Sequence, residues 1–189
     1  MAFLLEVEPL DLGADVRAVG LELVEHDEDR EPVRGKEAAA IWSRVLSAVA
    51  ATEPWGLDFF SHLDRLREYC EWHKIAYREA SGRSIVIRAP DLEKTEETLP
   101  GLLERFESET FGARAGERLV AADAALEGEL ARRGVDAYHT AFPDYLFCAV
   151  CNFEEGSLVL LSNRLWASEV IRRIRPVLAG LNVEIRLPV

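Results

Sequence analysis

The chain has 189 residues, 49% of them apolar and 30% charged, enough for one full hydrophobic core or two small lobes. Its 34 Asp and Glu outnumber 22 Lys and Arg, a formal net charge of −12. That balance disfavours binding to a nucleic-acid backbone or an anionic membrane surface and favours a basic protein partner. The three cysteines, an odd number, point to a reducing compartment rather than a disulfide framework. Residues 1–10 carry Glu6 and Glu8 and no basic residue, and no apolar run has the length of a bilayer span. A soluble, cytoplasmic protein is the expectation.

In chain order, weak alternation over Phe3–Val7 and stronger alternation over Val16–Val24 predict two strands. The acidic loop Glu25, Asp27, Glu28, Asp29 and Glu31 follows, closed by Pro32 and Gly35. Ile41, Trp42, Val45, Leu46 and Val49 have helical spacing, predicting a helix over residues 36–52. Pro54 and Gly56 break that pattern and place Trp55 in a loop, as a lid over the core. A second helix is expected over Leu57–His73, with Phe59, Phe60, Leu63, Leu66, Cys70 and His73 inward. Ile75–Tyr77 and Ser84–Arg88 read as a hairpin turning at Ala80-Ser81-Gly82. Residues 89–98 are the one internal linker candidate in an otherwise single domain.

Two more helices are expected, over residues 98–109 and 116–133, the second stopped by Gly134. The most apolar stretch begins at Tyr145. It reads as a strand to Phe153, a Glu154-Glu155-Gly156 turn, and a strand over Ser157–Leu161. A helix capped by Asn163 follows, with Leu165, Trp166, Val170, Ile174, Val177 and Leu178 inward and Pro176 near its end. Leu181–Leu187 is a last strand, either central or at an edge where a second copy could pair to form a homodimer. The hairpins at 77–87 and 151–161 share a Glu-Gly-Ser pattern, which either records a duplication or reflects generic turn chemistry. Together these elements predict an α+β fold: an antiparallel sheet with helices packed on one face, a two-layer sandwich with a ferredoxin-like part.

Few residues carry chemistry. Cys70 and His73 with Cys148 and Cys151 supply the donor types of a tetrahedral zinc site. Against this, Cys148 and Cys151 lie three apart in a strand pattern and should point to opposite faces. A redox role for that pair would need a helix amino terminus, which is missing here. His139 with Asp144, or His62 with Asp58 or Asp64, could form an acid/base pair, but neither has a nucleophile beside it. The acidic loop fails as an EF-hand, since Pro32 and Ala38 stand where Gly and Glu are required. Gly35-Lys36 fails as a phosphate loop, with Arg30 and Glu37 at the wrong places.

Charge is also uneven. Residues 1–60 carry 13 acidic and five basic residues, whereas residues 157–189 carry five arginines and two glutamates. The expectation is a non-enzymatic binding or regulatory protein without a cofactor, engaging a basic partner through Glu25, Asp27, Glu28, Asp29 and Glu31. An immunity-like neutraliser has this charge physics. Zinc binding and a small-molecule enzyme using His139 and Asp144 are the alternatives.

Overall fold

A computed structural model describes residues 2–12, 17–27, 29–80, 82–89, 98–120 and 123–187. Strands β1 (Phe3–Asp11) and β2 (Arg17–Glu25) form a long hairpin, and helix α1 (Gly35–Ala50) follows. Next come β3 (Trp55–Phe59), α2 (Leu63–His73), β4 (Arg78–Ala80), β5 (Ser84–Arg88), α3 (Thr98–Arg105) and β6 (Thr110–Ala115). Helix α4 (Ala124–Arg133) and the short α5 (Tyr138–Ala141) lead to β7 (Phe147–Asn152) and β8 (Ser157–Leu161). Helix α6 (Ala167–Leu178) and β9 (Val183–Arg186) complete the described chain.

Among the described residues all nine strands join one sheet, in the order β4-β5-β3-β6-β7-β8-β2-β1-β9. Every neighbouring pair is antiparallel except β1 with β9. The α+β class and its mostly antiparallel sheet are therefore as expected. No described helix is long and apolar enough to cross a membrane.

Alternation assigns each strand two faces. Leu5, Leu21, Leu57, Phe111, Phe147 and Leu160 belong to the main core, and α1, α2, α3 and α6 pack over them. Trp42 stacks on Phe153 with ring centroids 4.9 Å apart, joining α1 to the β7–β8 turn. The opposite face has a smaller apolar cluster made of Ala18, Cys148 and Leu161 from the sheet with Leu126, Leu130, Tyr138, Phe142 and Tyr145 above. Thus the segment around α4 and α5, beyond the expected helical layer, covers part of the second face.

Several boundaries move. Residues 55–59 form a fully buried strand rather than the start of a helix, and Trp55 is a strand residue instead of a loop lid. The helix begins only at Leu63. Strand β6 has little sequence signal, since Gly112 and alternating small residues in Phe-Gly-Ala-Arg-Ala conceal its apolar face. The helix expected over 116–133 is a 3-10 turn at Glu117–Leu119 followed by α4. Helix α6 starts at Ala167, so Trp166 is 56% exposed, with the Arg17 guanidinium 3.9 Å above its ring. Trp72, on α2, is 84% exposed. The linker candidate lies mostly outside the described residues.

The two similar-looking hairpins occupy different places. β4–β5 closes one end of the sheet, whereas β7–β8 lies in its middle. A different repetition is visible in the topology. β1-β2-α1-β3 and β7-β8-α6-β9 each run hairpin, helix, strand, and their hairpins meet back to back at β2 and β8.

Candidate functional site

The second face of the sheet carries the polar side chains, and its register places them. One row across the sheet reads Arg186, Glu6, Glu22, Ser157, Asn152 and Thr110. The next reads Glu8, Gly20, Val159, Val150, Gly112, Asp58, Val86 and Arg78. A third reads Leu10, Ala18, Leu161, Cys148, Arg114, Gly56 and Arg88. Two polar regions emerge. One, centred on Asp58 and Arg114, lies beneath the α4–α5 cover; the other, around Gly20, lies beyond it.

In the covered region Arg114 and Asp58 are both fully buried. The guanidinium donates two parallel bonds, Nε to Oδ2 at 2.8 Å and Nη2 to Oδ1 at 3.1 Å. Its Nη1 donates to the Tyr145 hydroxyl at 3.0 Å, and Tyr138 donates to Asp58 Oδ2. Glu127 lies 3.7 Å from Arg114 and also accepts from Arg78. Toward solvent, the Tyr145 hydroxyl reaches Asp123 at 3.4 Å, and Arg118 bridges Asp123 and Asp144 at 3.7 and 2.6 Å.

Gly112 makes this arrangement possible. A Cβ there would lie 2.0 Å from the Tyr138 hydroxyl oxygen, so only glycine lets the ring cross β6 to Asp58. Burial pulls the Arg114 pKa down, but the Asp58 charge and hydrogen bonds outweigh it and leave the pKa raised. Burial, reinforced by Asp58, holds the Tyr138 phenol well above its ordinary value, and burial lifts Tyr145 to about 12. Both phenols therefore stay protonated as donors. With Asp58 and Arg114 committed to one another, this network clamps the cover to the sheet.

The uncovered region is a trough of about 160 Å³ over Gly20, walled by Glu6, Glu8, Leu10, Glu22 and Val159. Glu6 and Glu22 are direct cross-strand partners, a like-charge placement that costs stability. Arg30 pairs with Glu6 and so ties the acidic loop to this face. Asp27 accepts from the Arg30 backbone N–H at 3.0 Å, and His26 lies 3.2 Å from Glu184 on β9. Asp27, Asp29 and Glu31 are exposed and Glu25 half-buried, whereas Glu28 lies outside the described residues. Sequence reasoning found the loop and missed the trough, whose glutamates are spread over two strands and meet only through register.

The remaining candidates do not converge. Cys70 and Cys151 are in the main core, Cys148 is in the opposite cluster, and His73 is exposed beside the Tyr69 ring at 4.3 Å. Among the described residues no group of three or more His, Cys, Asp or Glu is placed to hold a metal ion. Burial raises the Cys70 thiol to about 12 and pushes Cys148 and Cys151 up as well. His139 and Asp144 are both exposed, with Asp144 paired to Arg118. His62 lies 3.1 Å from Glu109 instead of pairing with Asp58 or Asp64; Asp58 is committed to Arg114 and Asp64 to Arg67. No known protein family, curated protein or solved structure matches this chain.

Proposed function

We propose that the chain is a protein-binding module that receives a basic segment of a partner on the uncovered sheet face. The observation that supports this is the acidic trough over Gly20. A lysine or arginine side chain laid there would set its methylenes on Leu10 and Val159 and its charge between Glu8 and Glu22. Glu25, Asp27, Asp29 and Glu31 form the acidic rim that steers the approach, adding to encounter rate more than to affinity. A protein that neutralises a basic partner, as immunity proteins do, is the class this reading favours.

The test compares two charge-matched variants, Glu8→Gln/Glu22→Gln at the trough and Glu68→Gln/Glu71→Gln on α2. Each is titrated with a deca-lysine peptide at low and moderate salt. The trough variant should bind about tenfold more weakly while the α2 variant stays near wild type, and salt should narrow the gap. Equal losses in the two variants would mean that only net charge matters, and the trough would be the wrong surface.

A further inference from the structure

Strand β9 has β1 on one side and, among the described residues, no strand on the other. The Phe3 N–H donates to the Asn182 carbonyl at 2.8 Å, with Val183 in register opposite Phe3. In a parallel ladder this turns the backbone groups of 182, 184 and 186 toward β1 and those of Val183 and Ile185 outward. The Val183 N–H is satisfied by the Leu181 carbonyl, which leaves the Val183 carbonyl and both Ile185 groups as the template. Among the described residues these outward groups form a sheet edge open to pairing.

The side chains add a second observation. Val183 and Ile185 face the main core and are only half-buried, whereas Glu184 and Arg186 face the other side and are exposed. Beside them a groove of about 320 Å³ opens between the end of α6 and β9, floored by Leu178, Leu181, Val183 and Ile185. Leu187, just past the strand, is 52% exposed, and Val177 on α6 is 36% exposed.

We infer that β9 pairs antiparallel with β9 of a second copy of this chain, about a two-fold axis through Ile185 and perpendicular to the sheet. Such an axis keeps each face continuous, so residues directly opposite must come from the same face. Two registers then compete. Centring on Glu184 sets like charges opposite one another. Centring on Ile185 sets Glu184 opposite Arg186 twice and Val183 opposite Leu187 twice, so every cross-strand pair is complementary.

The second register also satisfies the backbone. Each Ile185 exchanges both its bonds with the other, and each Leu187 N–H donates to the opposite Val183 carbonyl. Leu187 then lies over the partner's groove, removing that exposed side chain from water. The occupant is therefore a copy of the chain itself: both its charge order and its apolar order read the same through the axis.

The experiment is sedimentation velocity over a micromolar concentration series, on wild type, Glu184→Arg, Arg186→Glu, the double variant and an equimolar mixture of the two single variants. Wild type should dimerise. Each single variant sets like charges opposite twice and should dimerise at least about tenfold more weakly. The double variant should regain the dimer, and the mixed single variants should form a heterodimer. Ile185→Cys should cross-link to a disulfide dimer under mild oxidation, because a hydrogen-bonded antiparallel pair brings its Cα atoms to about 5.5 Å. Wild type monomeric throughout would overturn the proposal, as would a dimer indifferent to both charge reversals or an Ile185→Cys variant that never cross-links. Loss of peptide binding at the trough would leave these outcomes unchanged, so the two proposals fail separately.

Discussion

Asp58 and Arg114 show what a single pair of residues can decide. Taking both charges out of water costs several kcal/mol, and two parallel hydrogen bonds with two tyrosine hydroxyls repay it only because the geometry is complete. Removing one partner leaves the other charge buried and unpaired. Asp58→Ala should therefore lower stability by about 3–5 kcal/mol in urea unfolding, while replacing Asp58 and Arg114 together by apolar residues of similar volume should cost less. A loss below about 1 kcal/mol for Asp58→Ala would mean that the guanidinium reaches water and the clamp is not closed. Gly112 belongs to the same unit, and its backbone shape is what admits the Tyr138 ring.

At the scale of elements, local punctuation decides where structure begins. Asn163 does not cap the helix, whose N-cap is Trp166 with no side-chain capping bond; the corner is built by Ser162, whose hydroxyl donates to the Leu146 carbonyl at 2.6 Å and accepts from the Arg164 and Leu165 N–H groups at 3.0 Å. This turn carries the chain from β8 toward α6 and delays the helix to Ala167. Within α6, Glu169 accepts from Arg172 and Arg173, which hold its carboxyl down to about 2. Ser162→Ala should cost about 1–3 kcal/mol in thermal or denaturant unfolding, because it orphans a buried carbonyl and two N–H groups at once. A neutral result would show that the β8–α6 corner is set by Leu165 and Val170 packing alone. Strand β3 is likewise set by a local pattern. Leu57 and Phe59 alternate into the main core and Asp58 faces the network, a period of two that a helical reading of Phe59, Phe60 and Leu63 obscures.

For the whole molecule, burial of ionisable groups links stability to pH. Cys70, Cys148, Cys151, Tyr138 and Tyr145 all have raised pKa values in the fold, chiefly from burial. Above about pH 9 the unfolded chain loses thiol protons, and above about pH 10 phenol protons, that the native chain still holds. The unfolded state then binds fewer protons, so these groups add no pH dependence below about pH 8 and stability falls as pH rises toward 12. Denaturant midpoints measured between pH 7 and 11 should decline from about pH 9. A flat profile would mean that the thiols and phenols titrate freely in the native protein. If β9 pairs as inferred, both acidic troughs open on the same side of one continuous sheet, and a partner with two basic segments could engage them together.

Read alone, the residues determine what periodicity, turn chemistry and charge can encode locally. The α+β class, the strands β1 and β2, the β7–β8 hairpin, the α1 face and the acidic character were all legible, whereas Trp166 and Val177, expected inward on α6, are exposed. So was the separation of Cys148 from Cys151, since residues three apart in a strand face opposite ways. What only the tertiary structure decided depends on which strands are neighbours. β6 enters between β3 and β7, bringing Arg114 to Asp58 from 56 residues away. Register sets Glu6 opposite Glu22 and, in the next row of the same face, Glu8 opposite Gly20, the floor of the trough. Periodicity reports which face of an element is apolar, but it carries no information about the partner that face will meet. Strand order and register are settled only when the summed packing of all the elements selects one arrangement.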